Sequence, residues 1–504
     1  MQKQGGTPSA ESYTDSILEN PEDGYRKMWE WINETLYTFR SAFNREAPFR
    51  WFVIVVIAFM IRTDHLGVTA FIRELSIAPK YYETLLHFFR AKSWNLENIR
   101  QQWMRIVAHC GILFREDTRP ILVGDGVKQG KEGKKMPCVK KLFQESENSS
   151  KAPYIYGHMF GALGVLIGNG AKLFCTPISM TIQDGDKRIR HWLDSNATQD
   201  SHVVRIIRQA CYAAKLFGSS ILLLDRYFLT VPALRAWLEE EKLANCQLTI
   251  VTKAKSNAVA YEKPAVKSGR GRPPKKGRAV KLSNLFDSFA PEFTQTVVKM
   301  YGETESISYL CKDLLWGKGL YCQLRFVLVK YGNTQSILVC TNAKLTPEQI
   351  IRLYSYRFKI ESCFREFKQV MAGLAYHFWS KAMPKLNRFA KWVEPLDAVR
   401  DDKDKSLIVS TFTAIERFVM MACIAMGLLQ ICSLRFSHTI NASSMRWLRT
   451  QSNKIPSEAT TADFLRKSFF RMFHLLPDLP IFRLIQCVQS ETKQSRDPDS
   501  LIAS

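Results

Sequence analysis

Five residues between positions 354 and 368 have the types and spacing needed to handle a phosphate group: Tyr354, Arg357, Glu361, Arg365 and Lys368. On an α-helix at about 100° per residue, Arg357, Glu361 and Lys368 lie at about 300°, 340° and 320° from Tyr354, and Arg365 lies at about 20°. Such a stripe suits a carboxylate that holds a metal ion beside cations that bind phosphate. A solvated helix face with ordinary ion pairs has the same composition.

The residues before this stripe are typical of a helix start. Thr346 is followed by Pro347 and Glu348, which predicts an N-cap at Thr346 and a proline at the first helical position. We therefore predict that one helix carries the whole stripe.

Two aspartates follow short apolar runs. Residues 121–124 (Ile-Leu-Val-Gly) precede Asp125, and residues 221–224 (Ile-Leu-Leu-Leu) precede Asp225. Runs of this kind are typical of buried parallel strands, and ligands bind outside the carboxyl ends of such strands. With Glu361 these aspartates offer hard oxygen ligands, which suit Mg²⁺ or Mn²⁺. Two such ions can hold the attacking and leaving oxygens of a phosphodiester.

The order Asp125, Asp225, Glu361 resembles the DDE transposases of bacterial insertion sequences. The subgroup with a Y-x2-R-x3-E-x6-K signature is the most similar, and its four positions match here at the family spacing in Tyr354, Arg357, Glu361 and Lys368. The Asp-Arg-Tyr-Phe sequence at 225–228 is also similar to the family pattern. The resemblance covers roughly residues 116–435. It implies a ribonuclease-H-like core that cuts DNA at the ends of a mobile element and joins the freed 3′-hydroxyl to a target.

The resemblance also implies a site and its partners. Asp125, Asp225 and Glu361 are expected to be catalytic and to hold Mg²⁺, with Mn²⁺ as a substitute. Arg357 and Lys368 would bind phosphates, and Tyr354 a phosphate or a distorted base. The expected partner is double-stranded DNA, both element ends and target, bound by a homodimer on paired ends in the cytoplasm at the nucleoid. Subgroup members free the element through a hairpin at the DNA end.

The composition agrees with a polyanionic partner. Lysines and arginines number 71 against 47 acids, the net charge is +24 and the sequence pI is about 9.5. Nucleic acid is the commonest partner of so basic a chain, although a basic enzyme without dedicated DNA work has the same charge. The twelve cysteines show no C-x-x-C pair, which disfavours a zinc site and fits a reducing cytoplasm.

No membrane or export segment is expected. Residues 1–16 are polar, and the apolar run 51–61 is too short to span a bilayer. The longer run 418–434 is predicted to be a buried helix.

The order of elements predicts an α/β fold, with a ribonuclease-H-like mixed sheet flanked by helices. Strands are expected to end at Asp125, to cover 160–167 and 172–182, to end at Asp225 and to cover 247–253. Helices are expected over 202–217 and 232–243. In this topology the first and fourth strands are neighbours, which would place Asp125 beside Asp225.

Five regions are predicted along the chain. Residues 1–115 are expected to be helical. Within them, residues 68–89 are compatible with a DNA-end-binding helix-turn-helix or with a generic helical hairpin. The residues of the second helix that are expected to face inward are Tyr82, Leu85, Leu86 and Phe89. Residues 116–260 and 344–435 form the two parts of the core. Residues 261–343 form a mostly β insertion, and 436–504 a C-terminal helical region and tail.

Two basic segments are predicted to be loops. Residues 128–153, rich in lysine, would contact phosphate or remain solvated. Residues 268–278 resemble an AT-hook, in which Arg270 and Arg272 would enter a minor groove; a plain basic linker is the alternative.

Two other functions remain open from the sequence. One is a ribonuclease-H-like nuclease without strand transfer, and the other is a domesticated DNA-binding protein. Short inverted repeats flanking the gene would favour transposition over both.

Overall fold

The computed structural model describes residues 21–144, 152–170, 172–243, 247–265, 272–388, 396–443 and 455–489. The chain forms two compact units. The helical unit comprises Met1–Leu113, Glu366–Tyr376 and Met421–Ser504, and the sheet unit comprises Phe114–Arg365 and His377–Met420.

The described residues form both helices and strands. The α-helices are α1 Pro21–Tyr37, α2 Glu46–Ile61, α3 Val68–Glu74, α4 Tyr82–Arg90, α5 Leu96–Ala108, α6 Lys187–Leu193, α7 His202–Phe217, α8 Val231–Leu243, α9 Leu285–Ser288, α10 Pro347–Ser355, α11 Lys359–Gln369, α12 Asp402–Arg435, α13 Ser437–Ser443, α14 Glu458–Leu475 and α15 Pro480–Gln486. The strands are β1 Arg115–Glu116, β2 Arg119–Gly130, β3 Lys140–Phe143, β4 Tyr154–Asn169, β5 Lys172–Ile182, β6 Ser220–Leu224, β7 Leu248–Lys253, β8 Val259–Tyr261, β9 Ala279–Lys281, β10 Thr294–Met300, β11 Glu303–Trp316, β12 Cys322–Tyr331 and β13 Thr334–Cys340.

The centre of the sheet unit is a run of neighbouring strands in the order β5-β4-β2-β6-β7. β5, β4 and β2 are antiparallel neighbours, whereas β2, β6 and β7 are parallel. The fold is therefore mixed α/β, and the predicted first and fourth strands, β2 and β6, lie side by side. All five residues of β6 are buried, as expected for a wholly apolar strand inside a parallel sheet.

The strands predicted as an insertion extend this same sheet. β13 pairs antiparallel with β7, with Val339 opposite Thr252, and β12 and β11 follow. The pairing satisfies the backbone N–H and C=O groups of β7 that would otherwise form an open sheet edge. The sequence predicts the strands themselves but gives no sign of this junction.

The helical unit joins the two ends of the chain. α2 is buried on every side from Phe52 to Ile61. The indole N–H of Trp29 on α1 donates to the Ser468 hydroxyl on α14 at 3.1 Å, so α14 belongs to this core and is not a separate tail. On α4, Leu85, Phe88 and Phe89 are buried, whereas Tyr82, the first residue of the helix after a 3₁₀ turn at Pro79–Tyr81, is exposed, contrary to its predicted inward position.

The longest helix is α12. Within the part of the chain that the structure describes, it is the one helix long and apolar enough to cross a membrane, and 94% of its apolar window is buried inside the protein. The predicted buried helix at 418–434 is therefore confirmed.

The first lysine-rich segment is packed as far as residue 144, contrary to the loop prediction. Met136, Cys138, Val139 and Leu142 are buried between its lysines. Their burial stabilises β3, which pairs with β4.

The sheet unit should lose stability in acid because of His158. This residue is fully buried on β4, and its Nε2 lies 2.6 Å from the Pro137 carbonyl, to which it donates. Burial lowers the pKa of His158 to about 4. The unfolded chain therefore takes up a proton below about pH 6.5, before the folded chain does, and the free energy of unfolding should fall between pH 6.5 and pH 4 by up to about 3 kcal/mol.

Urea denaturation at several pH values measures this loss. His158→Gln keeps a donor for the Pro137 carbonyl without titrating, so its unfolding free energy should fall less on acidification than that of the parent. His191→Gln, at an exposed position, is the control and should follow the parent. Identical pH profiles for the parent and His158→Gln would contradict the assignment.

Candidate active site

Asp125 and Asp225 lie at matching positions along two neighbouring parallel strands. Asp225 directly follows β6 as predicted, whereas β2 continues past Asp125 to Gly130, so the prediction that its strand ends at Asp125 was wrong. Gly124 of β2 pairs with Leu224 of β6, and each aspartate is the next residue. A Cβ atom at position 124 would lie 2.8 Å from Leu224 Cδ2 and 2.9 Å from Ile206 Cγ2. Glycine at this position therefore lets α7 and β6 pack closely just before Asp125.

The segment that carries the signature is not a single helix, so this prediction was wrong. α10 begins with the predicted cap, a capping box between Thr346 and Gln349, and ends at Ser355. A 3₁₀ turn at Tyr356–Phe358 follows, and α11 begins at Lys359. The Tyr356 ring packs edge-on against Phe114 at 5.3 Å, a tertiary contact that favours the tighter turn. Tyr354 consequently lies on α10, Arg357 in the turn, and Glu361 on α11.

Arg357 links two of the three candidate carboxylates. Its Nη1 donates to Asp125 Oδ2 at 2.8 Å, and its Nη2 donates to Glu361 Oε1 at 2.6 Å. The Arg357 side chain is 15% exposed, whereas that of Glu361 is 60% exposed. The turn thus brings the side chains from β2 and α11 to one cation.

The charges of this cluster influence one another. Burial lowers the pKa of Arg357, but the carboxylates of Asp125, Asp225 and Glu361 outweigh it and hold that pKa above its ordinary value. Burial raises the pKa of Asp125, and the charge of Asp225 adds to this rise against the opposing effect of Arg357. All three acids therefore act on the same guanidinium.

A cleft of about 320 Å³ opens beside the cluster. It is lined by Asp225, Arg226, Lys253, Tyr301, Tyr354, Ser355, Arg357 and Phe358. Burial raises the pKa of Tyr354, which keeps its hydroxyl protonated as a donor. Three cations and one acid line the cleft, a balance that suits an anionic group.

Five of these lining residues were not predicted as site residues: Arg226, Lys253, Tyr301, Ser355 and Phe358. Lys253 had a usable signal, because it ends the predicted strand that follows Asp225. Burial and the neighbouring Arg226 lower its pKa, whereas Asp225 opposes this effect. Tyr301 is at the tip of the β10–β11 hairpin, where only tertiary structure brings it to within 5.7 Å of the Phe358 ring.

The remaining predicted site residues are Arg365, Lys368, Arg270 and Arg272. Arg365 and Lys368 follow on the later turns of α11. Arg272 is exposed, whereas Arg270 lies outside the described residues. Lys276 packs over the Tyr261 ring at 4.2 Å, and Arg278 pairs with Glu262 at 2.9 Å, so this part of the AT-hook-like segment is held on β8 and β9.

The carboxylates of Asp125, Asp225 and Glu361 are chemically suited to bind a divalent cation. Among the described residues, no three His, Cys, Asp or Glu side chains lie close enough together to hold a metal ion. The carboxylates of Asp125 and Glu361 nevertheless share one positive group, and Asp225 is near enough to affect both Asp125 and Arg357. These are the hard oxygen donors that Mg²⁺ and Mn²⁺ prefer.

Residues 193–381 match the sequence model of the transposase DDE domain family. This region contains Asp225, Glu361 and every residue that lines the cleft. No curated protein and no solved structure matched the chain. Members of this family are transposases, which act on DNA and generally use divalent metal ions.

Proposed function

We propose that the protein is a DNA transposase that cuts at the ends of an insertion sequence and joins the 3′-hydroxyl ends to target DNA. The observation that carries the proposal is the contact of Arg357 with both Asp125 and Glu361, where the parallel pairing of β2 with β6 ends beside Asp225. The strand order β5-β4-β2-β6-β7 supports a ribonuclease-H-like core.

Each residue of the cluster has a role in this proposal. Asp125, Asp225 and Glu361 would hold divalent ions such as Mg²⁺ or Mn²⁺, which would activate water for cutting and the 3′-hydroxyl for joining and would neutralise the leaving oxygen. Arg226 and Lys253 bind phosphates of the strand in the cleft. Arg357 balances the carboxylates and donates to a phosphate once DNA is bound.

The finer assignment follows from the signature residues. Tyr354, Arg357, Glu361 and Lys368 support the subgroup with the Y-x2-R-x3-E-x6-K signature. In this subgroup the protein excises its element through a DNA hairpin, acts as a homodimer on paired ends and is located at the nucleoid, and we extend these properties to this chain. Lys368, Arg365, Arg270 and Arg272 are proposed as further DNA contacts.

Incubation of the protein with the DNA that flanks its own gene, in Mg²⁺, tests this function. Cleavage at the element ends followed by joining to a target plasmid is the expected result. Cleavage without joining would instead establish a nuclease. Binding without cleavage, in Mg²⁺ and in Mn²⁺, would establish a DNA-binding protein.

Tyr354 should contribute a hydrogen bond through its hydroxyl. Because the hydroxyl stays protonated in the cleft, it can donate to a phosphate oxygen, a bond worth about 1.5–3 kcal/mol. Tyr354→Phe should therefore slow cleavage about tenfold or more. Tyr354→Ala also removes the ring and should impair hairpin formation more than the first nick.

A time course of nicked, hairpin and fully cut products on a labelled end measures both effects. Tyr331→Phe, on the β12–β13 hairpin, is the matched control and should cut like the parent. If Tyr354→Phe cleaves at the parent rate, the hydroxyl has no role in cleavage and any contribution of Tyr354 comes from its ring.

A further inference from the structure

Two lysine-rich segments that are distant in sequence meet in the sheet unit. The Ser380 N–H donates to the Lys135 carbonyl at 3.1 Å, and the Leu386 N–H donates to the Lys134 carbonyl at 2.8 Å. Lys135 Nζ in turn donates to the Lys381 carbonyl at 3.0 Å. Residues 377–388 are therefore held along the segment that connects β2 to β3.

Arg388 completes this contact. Its Nη2 donates to the Glu132 carbonyl at 2.8 Å, and its guanidinium lies 5.2 Å from the centre of the Tyr156 ring. The Tyr156 hydroxyl donates to the Arg388 carbonyl. The two segments thus form one built surface on the β3–β4 side of the sheet.

This surface is strongly cationic. Residues 128–144 and 377–388 contain nine lysines and arginines and a single acid, Glu132. Lys134, Lys141, Lys381 and Lys385 are exposed; we call these four residues the basic platform. Lys131 is left out because burial lowers its pKa to about 7, so that it carries only part of a charge at neutral pH.

Exposed aromatic rings accompany the cations. Phe143 and Tyr154 are 51% and 48% exposed, their ring centres are 5.4 Å apart, and Lys141 Nζ lies 4.5 Å from the centre of the Tyr154 ring. Lysines on an edge strand also prevent strand pairing between molecules. That role does not account for Lys381 and Lys385, which lie on a separate segment away from the strand.

The Lys141 ammonium group lies over the Tyr154 ring, so the register of β4 gives the spacing between this part of the platform and the candidate active site. Ala162 on β4 pairs with Asp125, and Tyr154 lies eight residues before Ala162 on the same strand. At about 3.3 Å per residue the separation along the strand is about 26 Å. This length corresponds to about eight base pairs of duplex DNA at 3.4 Å each.

We propose that the basic platform binds phosphates of the same duplex whose strand enters the candidate active site, about eight base pairs from the scissile phosphate. The position of the cut rests on the proposed transposase function, whereas the binding itself does not. A duplex held at both points would be fixed in register for cleavage.

The test replaces all four platform lysines by glutamine: Lys134→Gln, Lys141→Gln, Lys381→Gln and Lys385→Gln. Their side chains are exposed, so the fold should be retained, and circular dichroism checks this. The matched control removes the same charge from exposed positions on α6, α7 and α8 through Lys187→Gln, Lys215→Gln, Arg235→Gln and Lys242→Gln. The probe is a 40-base-pair duplex that carries the element end.

Two measurements decide the proposal. The dependence of log K on log salt should lose up to about 3.6 units of slope in the platform variant and much less in the control, since each of the four phosphate contacts contributes about 0.9. Hydroxyl-radical protection should disappear about eight base pairs from the parent cut. An equal change of slope in both variants, or an unchanged footprint, would overturn the proposal.

The proposed function is judged separately. If the parent binds the duplex but never cuts it, the transposase proposal fails, and the difference in salt slope between the two variants still decides whether the platform binds DNA.

Discussion

Asp125→Asn, Asp225→Asn and Glu361→Gln are each expected to abolish Mg²⁺-dependent cleavage of the element end while DNA binding is retained. Each change removes a hard anionic ligand and leaves a side chain of almost the same size. The loss should be on the order of a thousandfold or more, as for other essential catalytic groups. Binding should be unchanged or slightly tighter, because a negative charge near the phosphates is lost.

The chain offers a control for each type of change. Glu366→Gln alters an acid on the same helix as Glu361 that points away from the predicted stripe, and Asp287→Asn alters an exposed acid on α9. Both variants should cut at the parent rate. Binding is measured by gel shift in Ca²⁺ and cleavage on a labelled duplex in Mg²⁺ and Mn²⁺. Substantial cleavage by any one of the three carboxylate variants would remove that residue from the site.

The elements that carry Asp125 and Asp225 could be predicted because the signal is local. Each aspartate follows an apolar run that is too short for a helix. The second run is separated from the strand at 248–253 by enough residues for one helix, as in a β-α-β unit. The predicted helix at 202–217 has the observed bounds, since its apolar residues recur at helical spacing. The pairing of β2 with β6 then followed from topology rules, and Gly124 opposite Leu224 is its result.

The errors arise where distant residues decide the local structure. At the turn at 356–358, Tyr356 contacts Phe114, a residue that no periodicity near the signature could indicate. The buried residues of the lysine-rich segment are hard to recognise in the sequence, because the run 136–139 has only four residues and lies between lysines. Their burial outweighs the local preference for a solvated loop.

The same limit applies to the candidate site. The sequence indicated that Arg357 and Glu361 are four residues apart and can pair. It could not show that Arg357 reaches Asp125 as well, since this contact joins two elements far apart in the chain. Lys253 and Tyr301 were missed for the same reason, because tertiary structure brings them to the cleft and neither belongs to a motif. Arg226 lies within the Asp-Arg-Tyr-Phe sequence, but no role was assigned to it.

Arg357→Gln is expected to slow cleavage about a hundredfold and, in the absence of DNA, to tighten Mn²⁺ binding about tenfold. The guanidinium donates to both Asp125 and Glu361, so it competes with any other cation for these oxygens. Two unit charges 4 Å apart interact by about 4 kcal/mol at an effective dielectric constant of 20, and a movable side chain retains only part of that energy. Glutamine removes the charge and keeps some hydrogen-bonding capacity.

Two independent readouts separate this role from a structural one. Titration of Mn²⁺ followed by electron paramagnetic resonance reports metal affinity without turnover, and the salt dependence of end binding should lose about one unit of slope if Arg357 also contacts a phosphate. Arg357→Lys keeps the charge without the planar fork, and it should restore the weaker Mn²⁺ binding of the parent but only part of its cleavage rate. Lys344→Gln removes one exposed charge just before α10 and should change neither readout.

The outcome bears directly on the signature residues. Tighter metal binding together with slower cleavage would show that Arg357 moves from the carboxylates to a phosphate when DNA binds. Metal binding and DNA binding at the site would then be coupled. If Arg357→Gln cleaves at the parent rate, the stripe beside Glu361 is an ordinary solvated helix face, and its residues do not bind phosphate for catalysis. Unchanged Mn²⁺ affinity with slower cleavage would restrict Arg357 to holding the phosphate, since competition for the oxygens of Asp125 and Glu361 would then be absent.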